Sequence, residues 1–343
     1  MIQFAKPDIT SAEILKVEST LKSGWLTGGP KVAAFRMEVS AISGADHAVC
    51  YDSCTAAMEM SLRALGIGPG DEIITTPYTY SATAEVIRNV GAKIVFCDLK
   101  PGTFEMDYGK LPGLITERTK AVMPVDYGGV PCRYGDLFQA ISSKASLYHP
   151  STPLQKSIGR VAVVADAAHS FGASYEGYSV GCVADFTCFS FHVLKPITTG
   201  GEGGAVVWRD FDNIDNDLLE RRLALLGDHG QTGKNISGVH GREWEYDIAL
   251  FGYNHIMTDV DAAAGLGQLD RMKELYSARE TLTKLYYLNL PSRVEAALQH
   301  FGKDYTSSMH LFPIRIPGAG ESERNQVFAS LLDDGIACNV HYK

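Results

Sequence analysis

Short runs of apolar, β-branched residues alternate with segments of helical periodicity between Ala48 and Trp208. The strand-like runs are AVCY (48–51), EIITT (72–76), KIVFCDL (93–99), AVMPV (121–125), RVAVVAD (160–166), TCFSF (187–191) and AVVW (205–208). Unbroken apolar runs are typical of strands buried on both faces, as in a parallel sheet covered by helices. The segments SAEILKVESTLKS (11–23), TAAMEMSLRAL (55–65) and SATAEVIRNV (81–90) have the spacing of helices. We therefore predict an α/β fold with a large, mostly parallel, doubly wound sheet.

The pattern changes after Trp208, where a charged, glycine-rich stretch precedes a long helical segment that begins near Asp259. A strand-like run, HLFPIRI (310–316), and a further helix complete the chain. We predict a large domain over residues 1–250 and a small C-terminal α+β domain over residues 251–343. Because the chain stops abruptly at Val340-His341-Tyr342-Lys343 without a long polar tail, we expect the small domain to be truncated at its end.

Composition excludes several classes of protein. The net charge is −9 and no basic run occurs, so a nucleic-acid partner is not expected. No segment reaches the ~18 apolar residues that a membrane-spanning helix needs. The seven cysteines are irregularly spaced and form no CxxC pair, which indicates neither a metal site nor a disulfide framework. We expect reduced cysteines in a cytoplasmic protein.

Asp166 and Lys195 are the residues that carry the strongest chemical signal. Asp166 ends the run RVAVVAD, so its carboxylate should lie at the carboxyl edge of the sheet, where ligands bind. Lys195 follows the next predicted strand and precedes a Thr-Thr-Gly-Gly turn (198–201). An amine buried among aromatic and aliphatic residues loses hydration, which lowers its pKa towards the nucleophilic form. Taken singly, the two would be a turn residue and a surface lysine. Together they match the amine and carboxylate that pyridoxal 5′-phosphate (PLP) requires.

The segments DAAHSFGA (166–173) and FSFHVLKPITTGGEGG (189–204) resemble the signature of the nucleotide-sugar aminotransferases, the DegT/StrS family of fold-type I PLP enzymes. The segments GWLTGGPKVAAFRMEV (24–39), 50–87 and FGYNHIMTDVDAAAGLGQLDR (251–271) resemble further parts of the family pattern in the same order. The resemblance spans nearly the whole chain. It implies a fold-type I, PLP-dependent aminotransferase.

The resemblance also implies roles around the cofactor ring. Lys195 would form the Schiff base with PLP and move the proton during transfer, and Asp166 would pair with the pyridine nitrogen. His169 would lie near the O3′ or phosphate side of the cofactor. Tyr80 would stack on the ring, although from the residues alone it reads equally as a core aromatic.

A second implied group would bind the cofactor phosphate. Thr55 and Ala56 would offer backbone N–H groups and a hydroxyl at a helix start, where orphan amides bind anions. Ser190 would add a hydroxyl, and Asn254 would reach the phosphate from a neighbouring subunit. From the residues alone, Thr55 can also be interpreted as a helix cap, and Asn254 as a turn residue.

Two histidines and two departures from the family pattern complete the expectations. His192 and His341 are candidates to line the sugar site, with a structural role as the alternative for His192. The pattern has one residue fewer after the lysine, so the pair Gly200-Gly201 contains an insertion. It also has glycine where Cys54 stands, and a cysteine there would be strained if the position required positive φ.

The implied reaction transfers an amino group from an L-amino acid, expected to be L-glutamate, to a nucleotide-linked 4-keto-6-deoxy sugar for polysaccharide synthesis. The implied assembly is a homodimer with shared active sites. One alternative is a PLP-dependent sugar 3-dehydratase of the same family, whose members carry histidine at the position of Lys195. Another is a non-catalytic, PLP-binding regulatory protein on the same fold.

Overall fold

The computed structural model describes residues 1–232 and 246–342. Within these residues the helices are α1 (Ser11–Ser23), α2 (Pro30–Ser43), α3 (Cys54–Ala64), α4 (Ser81–Asn89), α5 (Leu111–Leu114), α6 (Tyr134–Ser142), α7 (Pro153–Ile158), α8 (Asn216–Gly227), α9 (Asp259–Asp270), α10 (Met272–Asn289) and α11 (Glu321–Asp333). The strands are β1 (His47–Tyr51), β2 (Glu72–Thr75), β3 (Lys93–Phe96), β4 (Thr119–Met123), β5 (Ala162–Asp166), β6 (Ser174–Tyr175), β7 (Tyr178–Ser179), β8 (Phe186–Ser190), β9 (Gly204–Trp208), β10 (Glu295–Ala296), β11 (Tyr305–Thr306) and β12 (Ile314–Arg315).

A seven-stranded sheet in the order β1-β9-β8-β5-β4-β2-β3 forms the centre of the protein. All neighbouring strands run parallel except β9, which is antiparallel to both β1 and β8. Parallel neighbours need a long crossover connection. The loop between β8 and β9 contains no helix, so the chain turns directly back and β9 is reversed. The predicted α/β class and mostly parallel sheet are confirmed.

Both faces of the sheet are covered. On one face, α3, α4 and α8 pack on a core that includes Met58, Val86 and Leu223. On the other face, one core includes Phe35 of α2, and a further core lies beneath α6. Residues of β9 alternate between these faces, as side chains of a strand must: Val206 and Trp208 join the first core and Ala205 and Val207 the second.

The carboxyl ends of the central strands meet the first turn of α3. Gly204 is paired with Tyr51 on one side and with Ser190 on the other, and α3 begins at Cys54. A Cβ atom on Gly204 would lie 2.2 Å from the Ser53 carbonyl carbon and 2.3 Å from the Cys54 nitrogen. Glycine at 204 therefore lets the start of α3 approach the sheet edge.

The C-terminal residues are attached to the sheet layers at several points. Helix α9 packs against α1 and α2, and the Asp259 carboxylate accepts hydrogen bonds from the Gly29 and Lys31 N–H groups at the start of α2. Ser308 N donates to Gly129 O and His310 N to Gly128 O. The division into domains at residue 250 stays a prediction. No helix among the described residues is both long and apolar enough to cross a membrane.

The expected strand over 310–316 is wrong for most of its length, since only Ile314–Arg315 is a strand. Pro313 has no N–H to donate to a ladder. The N–H groups of His310 and Leu311 donate instead to Gly128 O. Met309 takes a positive φ of 54° just before this segment.

The close approach at Gly204 predicts the effect of a single methyl group. Gly204→Ala should lower the free energy of unfolding by about 1–3 kcal/mol, because the new Cβ overlaps backbone atoms that must shift. Gly201→Ala is the matched control, since a Cβ there meets nothing within 4 Å. Urea denaturation of the two variants measures the difference. Equal stabilities would show that α3 does not press on the sheet edge at residue 204.

Candidate active site

A cavity of about 2070 Å³ lies at the carboxyl edge of the sheet. Most residues that the sequence assigned to the site line this cavity, namely Thr55, Tyr80, Asp166, His169, Ser190, His192, Lys195 and His341. Ala56 and Asn254 do not line it. The sequence-predicted pair, Asp166 and Lys195, is therefore brought into one cavity.

Asp166 is buried at the end of β5 and its carboxylate is held by two donors. Thr83 Oγ1 donates to Asp166 Oδ2 over 2.6 Å, and Ala168 N donates to Asp166 Oδ1 over 3.2 Å. Burial raises the pKa of Asp166, while the two hydrogen bonds and the charge of Lys195 oppose the rise. A third donor that approached this carboxylate from the cavity would meet an oriented acceptor.

Lys195 lies in a hydrogen-bonded turn within the loop, residues 191–203, that connects β8 to β9. Lys195 N donates to His192 O over 2.8 Å, and Phe191 N donates to Gly203 O over 2.7 Å. Burial lowers the pKa of Lys195, and the negative charge of Asp166 works in the opposite direction. The amine and the carboxylate are near enough for the charge of each to shift the pKa of the other.

The inserted glycine is accommodated in the return turn. Gly200 has φ 106°, which L side chains rarely adopt. Gly200 N donates to Thr198 Oγ1 over 3.0 Å, and Thr199 Oγ1 donates to Glu202 O over 2.6 Å. The extra residue therefore closes a hydrogen-bonded turn without disturbing the β8–β9 pairing.

The first turn of α3 faces the cavity with its N-terminus. Ser53 is the N-cap, and its Oγ accepts from Ala56 N over 3.1 Å. The structure thus gives the cap to Ser53 rather than to Thr55, and it directs the Ala56 N–H to Ser53 instead of into the cavity. Cys54 lies within the helix and is not among the positive-φ residues, so the expected strain is absent there.

His169 is buried next to the turn that follows β4. Its Nδ1 accepts a hydrogen bond from Gly128 N over 3.1 Å, which requires that nitrogen to be unprotonated. Burial lowers the pKa of His169 well below its usual value, and the Lys195 charge lowers it further. The His310 ring lies 4.6 Å from the His169 ring, and its pKa is also well lowered by burial. Both imidazoles are therefore neutral.

The other predicted residues lie towards the cavity rim. Tyr80 is the N-cap residue of α4 and is 66% exposed. His192 Nε2 lies 3.6 Å from Glu202 Oε1. The His341 backbone carbonyl accepts from Tyr78. Asn254 is exposed and pairs through its backbone with Asp228.

Several residues in or next to the cavity were missed from the sequence. Thr83 contacts Asp166, Asp126 holds the turn after β4, and Arg315 lies with its guanidinium carbon 4.5 Å above the Phe104 ring. Asp126 stands in PVDYGG, directly after a predicted strand, and the same strand-end rule that selected Asp166 would have selected it. For Thr83 and Arg315 no such signal exists, because their positions depend on the packing of distant elements.

A doubly wound sheet with a buried carboxylate after one strand and a half-buried lysine after its neighbour is the arrangement of the fold-type I, PLP-dependent aminotransferases. The chain belongs to the DegT/DnrJ/EryC1/StrS aminotransferase family, whose model matches residues 7–343. The predicted family and fold class are confirmed.

Similar proteins include curated and structurally solved members. The spore coat polysaccharide biosynthesis protein SpsC of Bacillus subtilis (strain 168) is 35% identical over 349 residues, covering 99% of this chain and 83% of SpsC. The putative sugar aminotransferase Spr1654 from Streptococcus pneumoniae, in its PLP-form, is 42% identical with a TM-score of 0.94, covering 100% of this chain and 85% of that one.

Two further structures extend the comparison. The PMP-form of Spr1654 has a TM-score of 0.96 at 42% identity and covers 100% of this chain and 86% of its own. Helicobacter pylori PseC, an aminotransferase involved in the biosynthesis of pseudoaminic acid, has a TM-score of 0.83 at 27% identity, with 100% and 85% coverage. The PLP- and PMP-forms bear out the predicted cofactor for this group of enzymes.

Asp126 predicts a pH dependence of stability. Its carboxylate is buried and accepts from Ser170 Oγ, Cys132 N and Tyr134 Oη, and burial raises its pKa from 3.8 to about 6. The folded state therefore binds the proton more tightly, so this group stabilises the fold at low pH and the contribution is lost as pH rises through about 6. From about pH 4 to about pH 7, the wild type should lose about 2 kcal/mol relative to Asp126→Asn.

Urea denaturation of both proteins at the two pH values measures this difference. Asparagine can keep the contacts, since its carbonyl can accept from Cys132 N and its amide can donate to Ser170 Oγ. The comparison concerns the change with pH and not the absolute stability of the variant. Parallel pH profiles would show that Asp126 does not titrate in this range.

Proposed function

We propose that the enzyme is a PLP-dependent sugar aminotransferase that moves the amino group of L-glutamate to a nucleotide-linked 4-keto-6-deoxy sugar. The observation that carries the proposal is the placement of a half-buried amine of lowered pKa, Lys195, and a buried, hydrogen-bonded carboxylate, Asp166, in one cavity. Family membership supplies the reaction class.

The residues present fit PLP at three points. The amine of Lys195 suits the aldehyde, the carboxylate of Asp166 suits the pyridine nitrogen, and the first turn of α3 with Thr55 and Ser190 suits the phosphate. Gly204 leaves the space in which that turn approaches the sheet. When bound, PLP supplies an aldehyde that condenses with amines and a ring that accepts electrons from the carbon losing a proton.

Lys195 would hold and move the proton of the transfer at Nζ. Burial lowers its pKa, which favours the unprotonated amine needed by both a nucleophile and a base. The neighbouring His169 and His310 are neutral, so they do not compete as cationic acids. His192 is half-exposed near Glu202, and we assign it to the cavity rim rather than to proton transfer.

Asp166 would keep the ring nitrogen protonated by presenting a negative charge beside it. The carboxylate is already oriented by Thr83 and Ala168, so binding would not have to reorganise it. Asp166 is buried, with 6% of its surface exposed, which strengthens the interaction of its carboxylate with a cation.

The cavity supports a large, sugar-containing substrate. Its volume of about 2070 Å³ exceeds the ~300–1,000 Å³ of common small-molecule pockets, which leaves room beyond the cofactor. Tyr78, Phe104 and Tyr127 form an aromatic wall, with ring centroids 4.8–5.1 Å apart. The names of SpsC and PseC connect similar enzymes to polysaccharide and pseudoaminic acid biosynthesis, which supports a role in glycan synthesis.

Lysine at 195 favours transfer over dehydration, because the family's 3-dehydratases carry histidine there. Burial of the amine beside Asp166 also disfavours a purely regulatory protein, which would have no use for a desolvated nucleophile. All seven cysteines lie in the described residues and are free, which supports a cytoplasmic location.

Absorbance and turnover measurements on the PLP-reconstituted enzyme test the proposal. The band of the lysine-bound cofactor should bleach with L-glutamate and return on addition of a keto sugar from a panel of UDP-, GDP- and dTDP-linked 4-keto-6-deoxy sugars. Lys195→Ala should lack the band and show no multiple turnover, because no other amine replaces Nζ. Turnover by Lys195→Ala, or no response of the wild type to any donor and acceptor, would overturn the assignment.

A homodimer with shared sites accounts for the position of Asn254. Its side chain is exposed and lies outside the cavity of its own chain. The next residue, His255, is held by two backbone hydrogen bonds: its N–H donates to Gly227 O, and its carbonyl accepts from Asp52 N. These bonds fix the position of the backbone beside Asn254. Phe251, three positions earlier, is 99% exposed, which is typical of a residue that a second subunit covers.

Mixed dimers test the sharing of sites. Lys195→Ala and Asn254→Ala subunits, co-expressed with different tags, should regain activity in the heterodimer, because one of its two sites then combines an intact Lys195 with the partner's intact Asn254. Each homodimer is the control. Heterodimers that are no more active than the mean of the homodimers would place Asn254 outside the partner's site.

A further inference from the structure

A chain of two hydroxyl groups ends on the Asp166 carboxylate. Thr83 Oγ1 lies 2.6 Å from Asp166 Oδ2, and Thr79 Oγ1 lies 2.7 Å from Thr83 Oγ1. Thr83 is fully buried, whereas Thr79 lines the cavity. The chain therefore connects the buried carboxylate to the cavity.

The direction of the protons in this chain follows from the chemistry of its last member. An ionised carboxylate only accepts hydrogen bonds, so Thr83 must donate its single proton to Asp166. Its oxygen is then free to accept, and Thr79 becomes the donor to Thr83. A protonated Asp166 could accept from Thr83 only through an uncharged oxygen, and a hydrogen bond to a charged acceptor is the stronger of the two. A chain in which both hydroxyls donate towards Asp166 therefore stabilises the ionised form.

The charges around Asp166 do not replace this hydrogen bond. Lys195 is the cation that acts on the carboxylate. Four other groups, Cys54, Cys188, Tyr134 and Tyr342, are near enough to feel the charge of Asp166 but are neutral, since burial raises the pKa of each. The Thr83 hydrogen bond lowers the pKa of Asp166 more than the Ala168 hydrogen bond or the Lys195 charge does.

Helix α4 delivers Thr83 to this position. Tyr80 is its N-cap residue, and Thr83 N donates to Tyr80 O in the first turn. The helix follows β2, which is separated from β5 by β4 in the sheet. The N-terminal turn of α4 therefore lies next to Asp166. The partial positive charge of a helix N-terminus stabilises a nearby anion such as this carboxylate.

We propose that Thr83, oriented by Thr79, is a positioning residue that keeps the Asp166 carboxylate ionised and aligned for the cofactor's pyridine nitrogen. This inference rests on the proposed function. In this role Thr83 does not contact the substrate, and it affects the reaction only through Asp166.

The test compares Thr83→Val, which keeps the shape and removes the hydroxyl, with Thr83→Ser, which keeps the hydroxyl. In Thr83→Val the affinity of the apoenzyme for PLP, measured by absorbance titration, should fall, and the acid limb of the pH profile for bleaching by glutamate should move to higher pH, because Asp166 takes up a proton more readily. The rate at neutral pH should fall about 10- to 100-fold, as expected for loss of a hydrogen bond to a charged group. Thr83→Ser should restore both the acid limb and most of the rate.

Thr75→Val is the matched control, since Thr75 is also buried and its Oγ1 donates to a backbone oxygen, that of Met123, over 2.9 Å. It should lower stability without moving the acid limb. An unmoved acid limb in Thr83→Val, with wild-type bleaching intact, would overturn the inference alone. A wild type that never bleaches with an amino donor would instead overturn the proposed function.

Discussion

The burial of the Asp166 carboxylate is the constraint on which the site depends. A carboxylate withdrawn from water is destabilised unless donors and a cation compensate for its lost hydration. Thr83, Ala168 and Lys195 supply that compensation from helix α4, from the turn after β5 and from the loop after β8. The elements that bring these groups together are far apart in the sequence, so the fold as a whole is needed to keep one negative charge in place.

The same low-polarity surroundings separate the protonation states of the neighbouring groups. Lys195, His169 and His310 all have lowered pKa values, with burial as the first cause in each case. A site with two neutral imidazoles, one amine of lowered pKa and one carboxylate would suit the proposed movement of a proton between carbon and nitrogen better than a site of many charges. The acidic net charge of the chain therefore does not determine the electrostatics at the reaction centre.

Much of the fold followed from the sequence because its signals are local. Helix α1 begins at Ser11 and ends at Ser23, as the periodicity of residues 11–23 predicted. Asp166 and Lys195 were found because each stands beside a recognisable strand. Four features were missed: the reversal of β9, the late start of the strand predicted over 310–316, the cap at Ser53 and the contact of Thr83 with Asp166. They depend on strand order, a missing proline N–H and long-range packing.

The antiparallel return from β8 to β9 has a consequence for the amine it carries. Both ends of the short connection are paired with each other in the middle of the sheet, with Ser190 opposite Gly204 and Phe191 N bonded to Gly203 O. Lys195 therefore lies in a loop that is closed by strand pairing at its base, and this pairing restricts the backbone conformation of the loop. Binding of a ligand at the amine would therefore not carry the entropy cost of ordering the main chain. Only the four-carbon side chain of Lys195 would have to change its conformation.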